Sequence, residues 1–327
     1  MDEPRATGGS RDEVVVLVLV PVAERHVEMI RAVDPRVRVL CTTDRARAQQ
    51  LAPQAEVIVG WQIPEPVRTA ARRLRWVHAA AAGVDGLLFP EVLAGQVVLT
   101  SSVGAHTVAL PEHVMAVILL FSRRLHVALR NQQARRWDRQ AVVGEELAGK
   151  VLGILGLGAI GSALAARAAA FEMRVIGTKR TPAPVPHVAE VYGPEGTDDV
   201  LRAADYAVIL LPLTAETRGL IDARRLRLMK RTAVLVNVGR GPIVQEAALI
   251  EALREGWIAG AALDVFEREP LPADSPLWGL ENVVITPHVS GASPSYFDRV
   301  IPLFCENLRR YLAGAPLVNR VDPARGY

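Results

Sequence analysis

At 327 residues the chain has room for two domains of about 150 residues each. Half of it is hydrophobic and 22% is charged, which excludes a disordered, collagenous or small disulfide-stapled protein. Thirty-eight basic against 35 acidic residues leave a formal charge of +3, too small an excess to imply nucleic acid as a partner. Cys41 and Cys305 have no metal-ligand spacing and cannot form a framework, so a reducing cytoplasm is the expected compartment. No apolar run reaches the roughly 18 residues of a membrane span. The valine-rich stretch 14–20 has the length of a signal-peptide core, but Asp2, Glu3, Asp12 and Glu13 precede it where an exported protein would be basic. It reads as a buried parallel strand after an unstructured arm of residues 1–11.

In chain order, strands are expected at 14–20, 37–41, 57–59, 76–79 and 97–100, with helices near 24–33, 46–51 and 66–73 between them. That alternation predicts a parallel sheet covered on both faces. One helix over 110–125 follows, apolar nearly all round from Val114 to Phe121, and so expected to lie between domains or in a subunit interface. A second series predicts strands at 151–155, 174–177, 206–211, 233–238, 260–264 and 283–286. Helices are expected at 160–171, 197–203, 223–228 and 246–255, and a last one at 294–312 packs back on the first domain. Pro182, Pro184 and Pro186 mark an extended loop.

Gly156-Leu157-Gly158-Ala159-Ile160-Gly161 follows a strand directly and opens an alanine-rich helix. In that context the first glycine makes the turn, the second admits a pyrophosphate and the third lets the helix pack closely. The helix N-terminus then offers unpaired N–H groups to phosphate. About 20 residues on, where an NAD-binding unit places an acid for the ribose, the sequence reads Gly177-Thr178-Lys179-Arg180-Thr181. Two cations and two hydroxyls suit a 2′-phosphate. Arg240, Glu269 and His288 come from three neighbouring strand ends, the edge at which open α/β sheets bind ligands. Together they supply an anion clamp, a group that tunes a proton carrier, and the carrier itself.

In these motifs the chain resembles the D-isomer-specific 2-hydroxyacid dehydrogenase family from about Val14 to Val318. The matching signatures are the 156–161 loop, Leu211-Pro212-Leu213-Thr214 with Thr217, Asn237-Val238-Gly239-Arg240-Gly241, the run from Asp264 to Pro270, and Thr286-Pro287-His288. The resemblance implies two doubly wound Rossmann-like α/β domains with a cleft between them. Residues 1–103 plus 291–327 would form a discontinuous, flavodoxin-like substrate domain, and 104–290 the dinucleotide domain. It implies Arg240, Glu269 and His288 as the catalytic set. Gly156, Gly158, Ala159, Ile160, Gly161, Lys179, Arg180, Leu211, Pro212, Thr217, Val238, Gly239, Asp264 and Gly291 would contact the cofactor, with Asp264 on the nicotinamide carboxamide.

Ala82 and Gly83, in Ala81-Ala82-Gly83-Val84-Asp85, would hold the substrate carboxylate, with Arg240 bridging it to the keto oxygen. Phosphite-oxidising relatives carry a lysine where Ala82 stands, and formate-oxidising relatives a glutamine where Glu269 stands. Phosphoglycerate-oxidising relatives often carry a long C-terminal regulatory domain. What remains is similar to the glyoxylate/hydroxypyruvate reductase branch. The expected activity is therefore reduction of a small 2-keto acid to the D-2-hydroxy acid, with NADP(H) preferred and NAD(H) possible. A cytoplasmic homodimer formed through 110–125 is expected, with no metal, nucleic acid or membrane partner.

The rival reading is a nucleotide-sensing, protein-binding module of the corepressor type, since such relatives keep the same three residues. L-lactate-type chemistry places its glycine loop near the N-terminus rather than at Gly156. His78, His106, His113 and His126 lack zinc-ligand spacing and read as structural. Glu112 and His113 read as polar anchors at the domain junction, and Trp61 and Trp137 as core or dimer packing.

Overall fold

The computed structural model describes residues 13–326, so the arm expected at 1–11 lies outside the described residues. The chain begins β1 (Val14–Val18), α1 (Glu24–Arg31), β2 (Val37–Cys41), α2 (Arg45–Leu51), β3 (Val57–Gly60), α3 (Glu65–Ala70), β4 (Trp76–Ala79), α4 (Pro90–Leu93) and β5 (Val98–Ser101). Its five strands form a parallel sheet of order β2-β1-β3-β4-β5, the flavodoxin-like order. Every residue of β1 and β3 is buried because helices cover both faces, which is why these strands show no polar alternation.

The second sheet is preceded by α5 (Ala109–Ser122) and α6 (Leu125–Gln133). There follow β6 (Val151–Leu155), α7 (Ala159–Ala170), β7 (Arg174–Thr178), β8 (Glu190–Tyr192), α8 (Thr197–Ala203), β9 (Tyr206–Ile209), α9 (Ala223–Leu228), β10 (Val234–Asn237), α10 (Glu246–Arg254), β11 (Gly260–Leu263) and β12 (Val283–Ile285). The order is β12-β11-β10-β9-β6-β7-β8, again wholly parallel. The direction of winding switches between β6 and β9, the position where a doubly wound sheet opens a crevice for a dinucleotide.

Finally α11 (Phe297–Leu312) returns to the first sheet, packing Val300, Ile301, Phe304, Cys305 and Leu308 with Val16, Val18 and Trp76. The chain thus divides into two compact units, one running to Ala105 and resuming at Pro294, the other His106–Ser293. No helix among the described residues is long and apolar enough to cross a membrane.

Three expectations need correction. The helix expected at 110–125 ends at Ser122; Arg124 adopts a left-handed conformation (φ +52°), and a second helix, not expected, begins at Leu125. The segment at Gly144 and Glu145 crosses the end of α5. The Glu145 N–H donates to the Ser122 carbonyl (2.7 Å), and a Cβ on Gly144 would lie 2.4 Å from that same oxygen. Much of the cover of α5 comes from its own unit, a source that the expectation of a domain or subunit interface did not include. Leu110, Val114, Met115, Val117 and Ile118 are buried with Leu164, Ala165 and Ala168 of α7 inside the same unit. Third, of the two expectations for Trp137, core or dimer packing, its 98% exposure within the chain removes the first. The short edge strand β8 escaped the sequence reading, since three residues are too few to display a period.

Candidate active site

All the second-unit candidates lie at the carboxyl ends of the second sheet's strands. β6 runs into Gly156, whose φ of +110° a side chain would resist and whose Cβ would come within 3.0 Å of the Leu210 carbonyl. Gly158 begins α7 with no side-chain cap, and the space beside it is open. At Gly161 a Cβ would sit 2.4 Å from the Gly156 oxygen, so the helix packs on the turn only without one. Ala159 and Ile160 form the helix's first turn. Turn, open approach and uncapped amides are what a pyrophosphate requires, so the residues present fit a dinucleotide.

Lys179 and Arg180 follow β7. The Lys179 N–H donates to the Tyr192 carbonyl (2.8 Å), and the exposed Arg180 guanidinium pairs with Glu216 (3.3 Å). The sequence reading missed Glu216 because it arrives from the loop after β9, far along the chain. That loop also carries Leu211, Pro212 and Thr217; the Thr217 hydroxyl donates to the Pro212 carbonyl (2.6 Å) and accepts from the Thr214 N–H (2.8 Å). Val238 and Gly239 follow β10, and a Cβ on Gly239 would stand 2.9 Å from the Leu211 oxygen. The two loops therefore touch backbone to backbone.

The carboxylate and the imidazole meet beyond β11 and β12. Glu269 accepts from the Phe266 N–H through Oε1 (3.0 Å), and its Oε2 lies 2.7 Å from Nδ1 of His288. With Nδ1 held by a carboxylate anchored at its other oxygen, Nε2 is the ring nitrogen left for other work. His288 itself sits at φ +53°, a conformation uncommon for a residue with a side chain. It is held there by the buried Asp264 (1% exposed), whose main-chain oxygen accepts from the His288 N–H (2.8 Å). The Asp264 carboxylate takes the Thr286 hydroxyl (2.6 Å) and the Val289 and Ser290 N–H groups (2.9 Å each). Burial raises the pKa of Asp264, but the hydrogen bonds from Ser290, Thr286 and Val289 outweigh it and hold the carboxyl below its ordinary range.

Arg240 leaves the end of β10 and donates from its guanidinium to the Gly239 carbonyl (2.9 Å). Asn237 shapes that turn, donating to the Arg240 carbonyl (3.1 Å) and accepting from the Gly239 N–H (3.2 Å). The Arg240 charge is close enough to His106 to lower that imidazole's pKa, after burial as the larger cause. The His106 ring lies against Gly291, where a Cβ would come within 2.5 Å of Nδ1. His113 of α5 reaches the Thr286 hydroxyl (3.4 Å), so it anchors within the second unit.

Ala82 and Gly83 belong to the first unit, in the loop after β4. Trp61, half exposed, stacks near Phe297 and donates to the Ala80 carbonyl (2.9 Å) rather than filling the core. Among the described residues no cluster of His, Cys, Asp and Glu could hold a metal ion.

The family model for the NAD-binding domain of D-isomer specific 2-hydroxyacid dehydrogenases matches residues 115–290, more than half the chain. The chain belongs to this family. It is an NAD(P)-dependent 2-hydroxyacid dehydrogenase. A glyoxylate reductase of Aeropyrum pernix is 42% identical over 77% of this chain and 77% of its own length. A D-3-phosphoglycerate dehydrogenase of Archaeoglobus fulgidus is 33% identical over 94% of this chain, which spans 59% of that relative. Among solved structures, an NADPH-dependent glyoxylate/hydroxypyruvate reductase from Sinorhizobium meliloti, in complex with NADP and sulfate, aligns at TM-score 0.85. It is 31% identical, covering 96% of this dehydrogenase and 100% of that chain.

Proposed function

We propose that this dehydrogenase reduces a small 2-keto acid of the glyoxylate or hydroxypyruvate type to the D-2-hydroxy acid, preferring NADPH and accepting NADH. The observation that carries the reading is the Glu269–His288 pair: a carboxylate fixed by a main-chain N–H holds Nδ1 at 2.7 Å. Nε2 of His288 is then the atom that gives its proton to the developing alkoxide. Arg240 binds the substrate carboxylate and keto oxygen and stabilises the negative charge that builds there. Ala82 and Gly83 offer N–H groups to the same carboxylate. The α7 amides of Ala159, Ile160 and Gly161, with Gly156 and Gly158, hold the cofactor's pyrophosphate. Leu211, Pro212, Thr217, Val238, Gly239 and Gly291 flank the rest of it. Asp264, whose carboxylate is fixed by Thr286, Val289 and Ser290, is the residue assigned to the nicotinamide carboxamide. When bound, the nicotinamide supplies the hydride to the keto carbon.

Initial rates with glyoxylate, hydroxypyruvate, pyruvate and 3-phosphohydroxypyruvate test the substrate class. The first two should give the highest kcat/KM; a clear preference for the phosphorylated acid would move the chain to the other named activity among its relatives. Cofactor choice rests on Lys179 and Arg180. Neutralising both should raise the NADPH KM far more than the NADH KM, each charge-assisted contact to phosphate being worth about 1.5–3 kcal/mol. Arg180 must leave Glu216 to do this, at small cost because that pair is exposed. Glu216→Gln should therefore shift preference further toward NADPH. An unchanged ratio in the double variant would sink the assignment.

The free thiols Cys41 and Cys305 suit a reducing cytoplasm. Assembly as a homodimer is supported by apolar side chains exposed on and just after α6, namely Leu125, Leu129, Trp137 and Val143. Leu125 and Leu129 are one helical turn apart and share a face. Sedimentation at micromolar concentration should give a dimer, and Leu129→Glu a species near 35.4 kDa. A wild-type monomer would refute the dimer.

A further inference from the structure

The first unit holds a buried polar chain beneath the loop that follows β4. Trp76, His78, Thr100 and Ser102 are each 0% exposed. The Trp76 indole donates to the Thr100 hydroxyl (2.8 Å), which lies 2.8 Å from Nδ1 of His78. Nε2 of His78 lies 3.1 Å from the Ser102 hydroxyl, which is 2.7 Å from the Ala79 carbonyl.

For a neutral imidazole only one arrangement of protons satisfies all four contacts. A carbonyl cannot donate, so the Ser102 hydroxyl gives its proton to Ala79 and must accept from His78. His78 therefore carries its proton on Nε2. Burial pushes its pKa down to about 3, so the ring is neutral and Nδ1 is an acceptor. The Thr100 hydroxyl donates to Nδ1 and accepts from Trp76. The chain runs in one direction, from the Trp76 N–H to the Ala79 oxygen.

Its end point is the backbone of the loop proposed to bind substrate. Three successive carbonyls there are claimed by donors. Ala79 O accepts from the Ser102 hydroxyl. Ala80 O accepts from Trp61 Nε1 (2.9 Å) and the Tyr296 hydroxyl, and Ala81 O from the Ser102 N–H (2.9 Å). In a trans peptide the N–H of the next residue points opposite to the carbonyl. With Ala80 O and Ala81 O held, the N–H groups of Ala81 and Ala82 are turned away from those donors. Among the described residues the amides of Ala81, Ala82 and Gly83 donate to no carbonyl or side chain. Successive backbone amides left without an acceptor can serve an anion.

We infer that His78 is a positioning residue which, acting through Ser102 with Thr100 behind it, aims the Ala81–Gly83 amides at the carboxylate of the 2-keto acid. The inference rests on the reading that this loop takes the carboxylate. A merely structural histidine would not separate substrate KM from kcat.

The test uses the full-length enzyme. His78→Leu should raise the KM for glyoxylate about tenfold, the equivalent of about 1.4 kcal/mol. kcat should change by less than about threefold, and the NADPH KM should stay put. His78→Gln, which restores a donor toward Ser102, should recover most of the loss. Ser102→Ala keeps its N–H to Ala81 but frees the Ala79 carbonyl, and should raise the same KM by a smaller factor. In the wild type, nitrogen-15 imidazole spectra should show one histidine fixed as the Nε2–H form from pH 5 to 8, its signal shifted in Ser102→Ala.

An Nδ1–H form, a titration in that range, or unchanged glyoxylate KM in folded His78→Leu and Ser102→Ala would overturn the inference. If His78→Leu fails to fold, Ser102→Ala and the spectra decide. Comparing pyruvate with pyruvamide in the wild type tests the underlying reading alone. Equal KM values would remove the carboxylate from this loop, whereas discrimination that persists in Arg240→Ala, with no effect in the His78 and Ser102 variants, would condemn only the role of His78.

Discussion

Replacing His288 by asparagine is expected to lower kcat at least about a hundredfold with every keto acid, since general acid catalysis supplies roughly 10²–10⁴. Asparagine is the informative substitution. The residue sits at φ +53°, where asparagine is better tolerated than most side chains, so the turn around Asp264 should survive. The Asp264 contacts run to Thr286, Val289 and Ser290 and do not involve the imidazole. NADPH binding, followed by quenching or calorimetry, should stay within about twofold, because the proposed seat of the phosphates is the glycine loop after β6. Glu269→Gln keeps an oxygen within reach of Nδ1 and should cost less than loss of the ring. Arg240→Ala should raise KM and lower kcat together, as one guanidinium serves both ground and transition states. An undiminished rate in His288→Asn would end the catalytic assignment and favour a nucleotide-sensing, protein-binding role.

Gly241→Ala is expected to be the most damaging single methyl addition near the site. A Cβ there would stand 1.9 Å from the carbonyl carbon and oxygen of Phe266 and 2.6 Å from the Glu267 nitrogen. These are backbone atoms, so no side-chain rotation relieves the clash; the 266–267 segment must move. Overpacking of this kind costs about 3 kcal/mol. For a unit of this size that is a fall in Tm of roughly 6–12 °C. Activity should fall as well, because the Phe266 N–H that would shift is the one anchoring Glu269. Thermal unfolding within about 2 °C of wild type would show that the segment yields more easily than its geometry implies.

Much of the second unit was legible in the sequence because its signals are local. A glycine pattern between a strand and a helix needs only neighbours in the chain, and the apolar runs of β6, β9 and β10 declare buried parallel strands. Arg240, Glu269 and His288 could be placed at adjacent strand ends by counting strands. That α5 is buried is legible in its apolar sequence, but its packing on α7 is not, because an all-apolar helix reports that something covers it and not what. At its break the segment of Gly144 and Glu145 crosses the helix end, a contact no local pattern announces.

The sequence by itself determined the fold class, the two alternating series and the residue types of the site, all carried by periodicity and by motifs a few residues long. Tertiary structure alone decided that Phe266 anchors Glu269, that Asp264 grips the histidine loop, that Glu216 reaches Arg180, and that Trp76, Thr100 and Ser102 dictate the proton on His78. Each of these is a contact between strand ends or loops well separated along the chain. Hydrogen-bond direction and close backbone approach are set by how parallel strands come into register, and register is a property of the assembled sheet.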